Sequence, residues 1–187
     1  MAKRIFDLIL SSIALLILGI PLLAVFIAVR LTSKGPALHW SKRIGQNNEI
    51  FLMPKFRSMR IDTPQVATHL LTNPEQYLTP IGGFIRKSSL DELPQLLSVI
   101  KGDMSFVGPR PALFNQNDLK ELRTQFGIEK LKPGITGWAQ VNGRDELPIP
   151  VKVEFDRYYL NHKSVLFDVK IIFLTALKVV KRDGVSH

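Results

Sequence analysis

The sequence contains no cysteine. That excludes disulfides, thiolate nucleophiles and thiolate-bound metal centres, and it is compatible with a reducing compartment. The four histidines, His39, His69, His162 and His187, lie far apart and show no metal-ligand spacing. They read as structural or surface residues. No internal repeat and no low-complexity tail is present. Acidic residues are scarce beside basic ones: 16 Asp and Glu against 25 Lys and Arg, a formal charge of +9. This balance suits an anionic partner, whether nucleic acid, an anionic membrane surface or a phosphorylated substrate. Nucleic acid is the poorest of the three, because no recognition motif is found and an apolar N-terminal segment would have no purpose. The 187 residues suit one domain with a sizeable core.

Charge is missing altogether from Leu8 to Val29. A straight helix over that run would span about 33 Å, enough to cross a bilayer. The run is too long for a signal peptide, and no small-residue cleavage site follows. Pro21 sits inside it after Gly19-Ile20, which predicts a kink or break. Lys3 and Arg4 flank one end, and Arg30 and Lys34 the other. Both ends therefore satisfy the preference of cations for the cytoplasmic side. A helix–break–helix over residues 1–34, entering and leaving through one membrane face, meets both constraints. Ser11 or Ser12 could satisfy freed backbone groups. A kinked span and a buried soluble helix are the competing readings. Residues 35–187 would form the body of the protein.

In that body, Ala37–Arg43 and Ile50–Phe56 read as two short strands joined by the turn residues Gly45-Gln46-Asn47-Asn48, a β-hairpin. Lys55, Arg57 and Arg60 make a basic patch that is either a solvated loop or a surface facing phosphate or membrane. Residues 61–80 are polar and turn-rich and read as a loop with room for a short helix. Arg86 and Lys87 precede Ser88-Ser89-Leu90-Asp91-Glu92-Leu93-Pro94, and the helix-compatible run Gln95–Ile100 follows. Ser89 and Glu92 have capping-box spacing, which puts Asp91 and Glu92 in a first helical turn. With Asp91 as the cap instead, Pro94 falls where no N–H is needed. Either way, two carboxylates share a site where backbone N–H groups converge. Helix stabilisation alone would account for such acids. Arg110 lies between Pro109 and Pro111, in a stiff loop that suits a phosphate grip. Residues 112–127 read as a helix stopped by Gly127. Gln140, Asn142 and Arg144, in a glycine-rich stretch around Trp138, could line a nucleotide or sugar pocket. Two helices end the chain, Val151–Asn161 and Val165–Val180. The second is amphipathic, suited to a membrane surface or the core, and its Asp168 among apolar neighbours needs a cation or metal partner.

Taken together and in order, several stretches resemble the bacterial monotopic phosphoglycosyl transferases, the polyprenyl-phosphate sugar-phosphate transferases that include the small bacillosamine phosphotransferase type. The stretches are Lys3-Arg4-Ile5-Phe6-Asp7 before the proline-containing apolar run, Lys55–Met59, Ser89–Leu96, Gly102–Pro111 and Lys132–Arg144. The resemblance covers nearly the whole chain and is closest to the minimal catalytic form. It implies an α+β, mainly helical fold with a re-entrant membrane helix, a small β-hairpin and interfacial amphipathic helices. It implies transfer of a sugar 1-phosphate from a UDP-sugar to polyprenyl (undecaprenyl) phosphate, releasing UMP through a covalent aspartyl phospho-sugar. That is the first membrane step of glycoconjugate assembly, at the cytoplasmic face of the bacterial inner membrane. By resemblance Asp91 is the nucleophile, Glu92 binds Mg²⁺, Lys55 and Arg110 surround phosphate, and Asp168 is a second candidate metal ligand. Arg57, Arg86, Gln140 and Arg144 complete the expected substrate contacts. The family often places Ser before the membrane proline, whereas Ile20 precedes Pro21 here. A homodimer stays open, and a non-catalytic basic membrane-surface scaffold is the alternative function.

Overall fold

The apolar run and its flanks form one helix, α1, over Ala2–Thr32. The computed structural model describes residues 2–64, 73–143 and 147–181. At 1.5 Å per residue α1 is about 46 Å long, and its mean hydropathy reaches 2.8 over its most apolar stretch. It is long and apolar enough to cross a membrane. The sequence reading placed a kink or break at Pro21; helical backbone continues through it, so the helix is not broken there. Proline removes one intrahelical hydrogen bond and can bend a helix without ending it. Ser11 Oγ donates to the Asp7 carbonyl at 2.6 Å, far from the Pro21 step whose freed groups it was expected to satisfy.

Both ends of α1 attach to the body. Near the start, Asp7 Oδ1 accepts from Ser105 Oγ at 3.0 Å and from the Phe106 N–H at 3.1 Å. Near the end, Val25 and Val29 join Ala37, Phe56 and Ile85 in a buried cluster. None of residues 12–24 between these anchors is buried. Leu16 and Ile20 are each 84% exposed, a continuous apolar surface of the kind that water does not tolerate unaided.

The expected hairpin is present. Strands β1 (Leu38–Ile44) and β2 (Ile50–Phe56) pair antiparallel, with His39 opposite Lys55 and Ser41 opposite Met53. Asn47 and Asn48 make the turn at φ 54° and 61°, a region asparagine tolerates better than most residues. Part of the 61–80 loop lies outside the described residues, and the part after it contains a short 3₁₀ turn at Pro74–Tyr77. Helix α2 (Gly82–Lys87), a 3₁₀ turn at Leu90–Glu92 and helix α3 (Gln95–Lys101) follow.

Two short strands escaped the sequence reading. β3 (Ser105–Val107) and β4 (Gly134–Thr136) form a parallel pair. They bring the two turn-rich motifs side by side. A Cβ on Gly134 would lie 2.1 Å from the Gly108 backbone nitrogen, so only glycine permits this approach. Helix α4 starts later than expected and covers Asn117–Gln125, with Gly127 beyond its end at φ 72°. A short helix α5 (Trp138–Val141) precedes the two expected C-terminal helices, α6 (Ile149–His162) and α7 (Val165–Lys181). Helix α7 buries Asp168 and Ile171 while leaving Leu166 and Phe173 exposed.

Arg57 was expected to face phosphate, but the fold uses it to hold the exit of α1. It is buried and donates to the carbonyls of Ser33, Lys34 and Pro36 and to Ser33 Oγ, at 2.7–3.2 Å. These carbonyls belong to the turn just past the end of α1, and a guanidinium can satisfy several of them at once. Arg57→Met should therefore cost about 1.5–3 kcal/mol, the range for hydrogen bonds to charged groups. Denaturant unfolding in detergent checks this, with little change expected if the clamp is dispensable.

Candidate active site

The site begins with an unusual piece of backbone. Ser89 adopts φ 55°, ψ 17° and makes no side-chain cap. Neither helix register anticipated from the sequence is realised. The capping box does not form, and α3 begins at Gln95 with Pro94 in the N-cap position. A 3₁₀ turn carries both acids instead. A left-handed conformation at a non-glycine residue is uncommon and is often kept where geometry matters to function. The turn is held from below by Leu90, which packs against the cluster of Val25, Val29, Phe56 and Ile85.

Asp91 and Glu92 then part company. Glu92 Oε1 accepts from Lys55 Nζ at 2.8 Å and from Arg110 Nη2 at 3.1 Å. Glu92 is thus the partner of both Lys55 and Arg110. Asp91 is 8% exposed, and its Oδ1 has no hydrogen-bond partner among the described residues. Gln95, four residues on, is also buried with its Nε2 unpartnered. Buried polar atoms left unpaired cost about 1–3 kcal/mol each, so such a pair marks a place built for something else to bind.

The electrostatics follow from these contacts. Burial pushes the Glu92 carboxyl up, but Arg110 and Lys55 outweigh it and hold the group well below the usual carboxylate range. Burial dominates at Asp91 and carries it to about 6, against Lys55, with the Glu92 charge adding to the rise and Arg86 and Arg110 opposing it. Two neighbouring acids thus acquire different duties. Glu92 is a fixed anion that gathers cations. Asp91 is a carboxylate with weak local pairing, largely ionised at neutral pH.

The loop carrying Arg110 is pinned on three sides. The Gly134 N–H donates to the Pro109 carbonyl at 2.9 Å. Arg43 Nη1 reaches the Pro111 carbonyl at 3.1 Å, and Arg123 Nη1 reaches the Arg110 carbonyl at 2.9 Å. Arg123 is in turn held by Asp156 Oδ2, at 3.0 and 2.7 Å. Sequence reasoning missed Arg43, Arg123 and Asp156. Arg123 and Asp156 lie 33 residues apart on separate helices, and nothing local in either helix signals the pairing.

The other expected site residues divide. Arg86 is within electrostatic reach of Asp91. Gln140 is buried beside β4, donating to the Ile135 carbonyl at 3.1 Å with Oε1 unpartnered, and no bond joins it to the acidic pair. Arg144 lies outside the described residues. Asp168 has the cation expected for it. Lys3 Nζ lies 2.6 Å away, and the Tyr159 hydroxyl donates to its other oxygen at 2.7 Å. Lys3 and Tyr159 thus place it in the anchor of α1.

Among the described residues no group of three or more His, Asp or Glu side chains converges as a metal cage. Mg²⁺ does not need one, since it commonly binds one or two carboxylates together with substrate phosphates. The unpartnered Asp91 oxygen and the adjacent Glu92 carboxylate are hard oxygen donors that fit this mode.

Comparison with known proteins identifies the class. The family described as "Bacterial sugar transferase" matches residues 1–182, and the chain belongs to that family. It is 40% identical over 184 residues to the UDP-glucose:undecaprenyl-phosphate glucose-1-phosphate transferase of Escherichia coli K12, covering 94% of this chain and 39% of the relative. It is 37% identical over 198 residues to the undecaprenyl-phosphate galactose phosphotransferase of Salmonella typhimurium LT2, covering 97% and 41%. It is 40% identical over 185 residues to the uncharacterized sugar transferase EpsL of Bacillus subtilis 168, covering 99% and 90%. The chain thus spans about two fifths of the first two relatives and most of the third.

Asp91→Asn tests the electrostatic assignment without substrate. The folded state holds the Asp91 proton more tightly than the unfolded chain, so wild-type stability falls as pH rises from 3.8 through about 6. Asparagine removes that loss. The variant should match wild type near pH 3.5 and exceed it by about 3 kcal/mol near pH 7. Equal stability at both pH values would show that Asp91 is not destabilised by its burial.

Proposed function

We propose that this chain transfers a sugar 1-phosphate from a UDP-sugar to polyprenyl phosphate at the membrane surface, with Asp91 as a covalent nucleophile. The observation that carries the reading is the division of labour within the acidic pair: Glu92 bound by Lys55 and Arg110, Asp91 buried with an open oxygen. The names of the relatives, two of which specify undecaprenyl phosphate and a glucose or galactose transfer, support the substrate classes.

An Asp91 carboxylate oxygen attacks the β-phosphorus of the UDP-sugar. The bond from that phosphorus to the bridging oxygen breaks, and UMP leaves with the electron pair. Asp91 is then an acyl phosphate bearing the sugar. A phosphate oxygen of the polyprenyl phosphate attacks the same phosphorus and expels Asp91 as a carboxylate, leaving polyprenyl diphosphate sugar. Attack of an anion on an anionic diphosphate needs cations nearby. Lys55 and Arg110 are already gathered by Glu92, and Arg86 adds a third. Mg²⁺ held by Glu92 and the diphosphate would supply further neutralisation of the leaving group. The two-step route lets one site meet a water-soluble donor and a lipid acceptor in turn.

The membrane side of the proposal is a re-entrant α1 bent at Pro21, with both ends at the cytoplasmic face. Its support is the attachment of both ends to one body with no buried residue between, and the cations at each end. The exposed apolar residues of α7, Leu166, Val169 and Phe173, suit an interfacial helix.

Wild type with UDP-glucose or UDP-galactose, Mg²⁺ and no acceptor should release one equivalent of UMP and gain the mass of a sugar phosphate on the peptide containing Asp91. The burst rate should fall as pH drops and Asp91 takes up its proton, because only ionised Asp91 attacks. No adduct, with kinetics that require both substrates bound together, would replace this mechanism by direct transfer. Cysteines placed at positions 2 and 34 should label from the same side of sealed vesicles, whereas labelling from opposite sides would mean a span.

A further inference from the structure

The segment that carries the acidic pair is gripped from two directions by the same helix. On the near side, Leu90 rests on the cluster containing Val25 and Val29, from the C-terminal part of α1. On the far side, Arg4, from the first turn of α1, donates to the Val99 carbonyl and, at 2.6 Å, to the Ile100 carbonyl. Both carbonyls lie in the last turn of α3, where the Val99 carbonyl also accepts the Gly102 N–H at 3.1 Å. Helix α3 has seven residues, so about 10 Å of rigid rod separates the Arg4 contact from the turn holding Asp91 and Glu92. Lys132 completes this end by donating to the Gly102 carbonyl at 2.7 Å.

We propose that Arg4 is a positioning residue for the transfer reaction: by capping α3 it completes a two-point grip through which the membrane helix sets the geometry of Asp91 and Glu92. Arg4 touches neither acid. It acts through α3, while Val25 and Val29 act through Leu90. The turn between them has a left-handed Ser89 and no cap of its own, so it depends on its neighbours for its shape. Anchoring α1 to the body is a separate task performed by others. Lys3 pairs with Asp168, and Asp7 accepts from Ser105 and Phe106. Removing Arg4 therefore loosens the end of α3, which Gly102, Lys132 and the buried Val99 still hold in place, without detaching α1.

The test uses the full chain in bilayer nanodiscs, with Arg4→Met and Arg4→Lys. The lysine variant keeps the charge that orients the N terminus but cannot present the planar two-donor fork. The kinetic arm rests on the function proposed above, and the hydrogen-exchange arm does not. The expected result for Arg4→Met is faster amide exchange confined to residues 88–102, a kcat for UMP release from the productive UDP-sugar lowered about 10²-fold, and an unchanged KM. Arg4→Lys should fall between Arg4→Met and wild type. Wild-type kcat and exchange in Arg4→Met would overturn the proposal. So would faster exchange spread through α6 and α7 with a proportionate loss of Tm, which is general destabilisation. Loss confined to the lipid-acceptor step, with the donor half-reaction intact, would overturn it as well. If wild type itself released no UMP, the functional reading would fail, and the exchange pattern alone would decide the grip.

Discussion

The structure turns on one ion cluster, Glu92 between Lys55 and Arg110. Three elements meet there: the hairpin through Lys55, the loop after β3 through Arg110, and the turn before α3 through Glu92. Taking a carboxylate out of water costs several kcal/mol unless cations and hydrogen bonds replace the solvent. Two cations on one oxygen meet that need, and Arg86 beside Asp91 keeps the site as a whole positive toward a phosphate. The same cluster leaves Asp91 without a strong partner, and its burial then raises it to about 6. One arrangement therefore provides both an anion-attracting surface and a carboxylate with little to hold it back from attack.

The surroundings of the cluster are built for rigidity. Arg110 lies between two prolines, and its backbone neighbours are fixed by β4, Arg43 and Arg123. The Arg123–Asp156 pair is almost wholly buried, so losing either partner would strand a charge in the interior. Preorganised charge of this kind lowers a barrier because it does not have to reorient as the reaction proceeds. The membrane helix belongs to the same framework, since both its ends are packed into the body that carries the site.

Much of this was legible in the sequence. The uncharged run, the hairpin turn and the two C-terminal helices each follow from local pattern, and the adjacent acids could be singled out from their setting between a basic pair and an apolar helix. The parallel pairing of β3 with β4 was not legible, because three-residue strands separated by 26 residues leave no periodicity to detect. The partners of Lys55 and Arg110 were hidden for the same reason: contact with Glu92 spans 37 and 18 residues. Arg57 misled because its sequence neighbours are basic. Only the fold shows that it faces the carbonyls at the exit of α1. Asp168 was rightly expected to need a cation, but that its cation is Lys3, 165 residues away, is a property of the packing.

The most direct test of the central claim is a titration of carboxyl carbons by NMR, with ¹³C-labelled Asp and Glu and assignment from Asp91→Asn and Glu92→Gln. The division of labour predicts that Asp91 titrates near 6 while Glu92 stays ionised well below the usual carboxylate range. Glu92 titrating near 6 with Asp91 ionised throughout would reverse the roles and contradict the account.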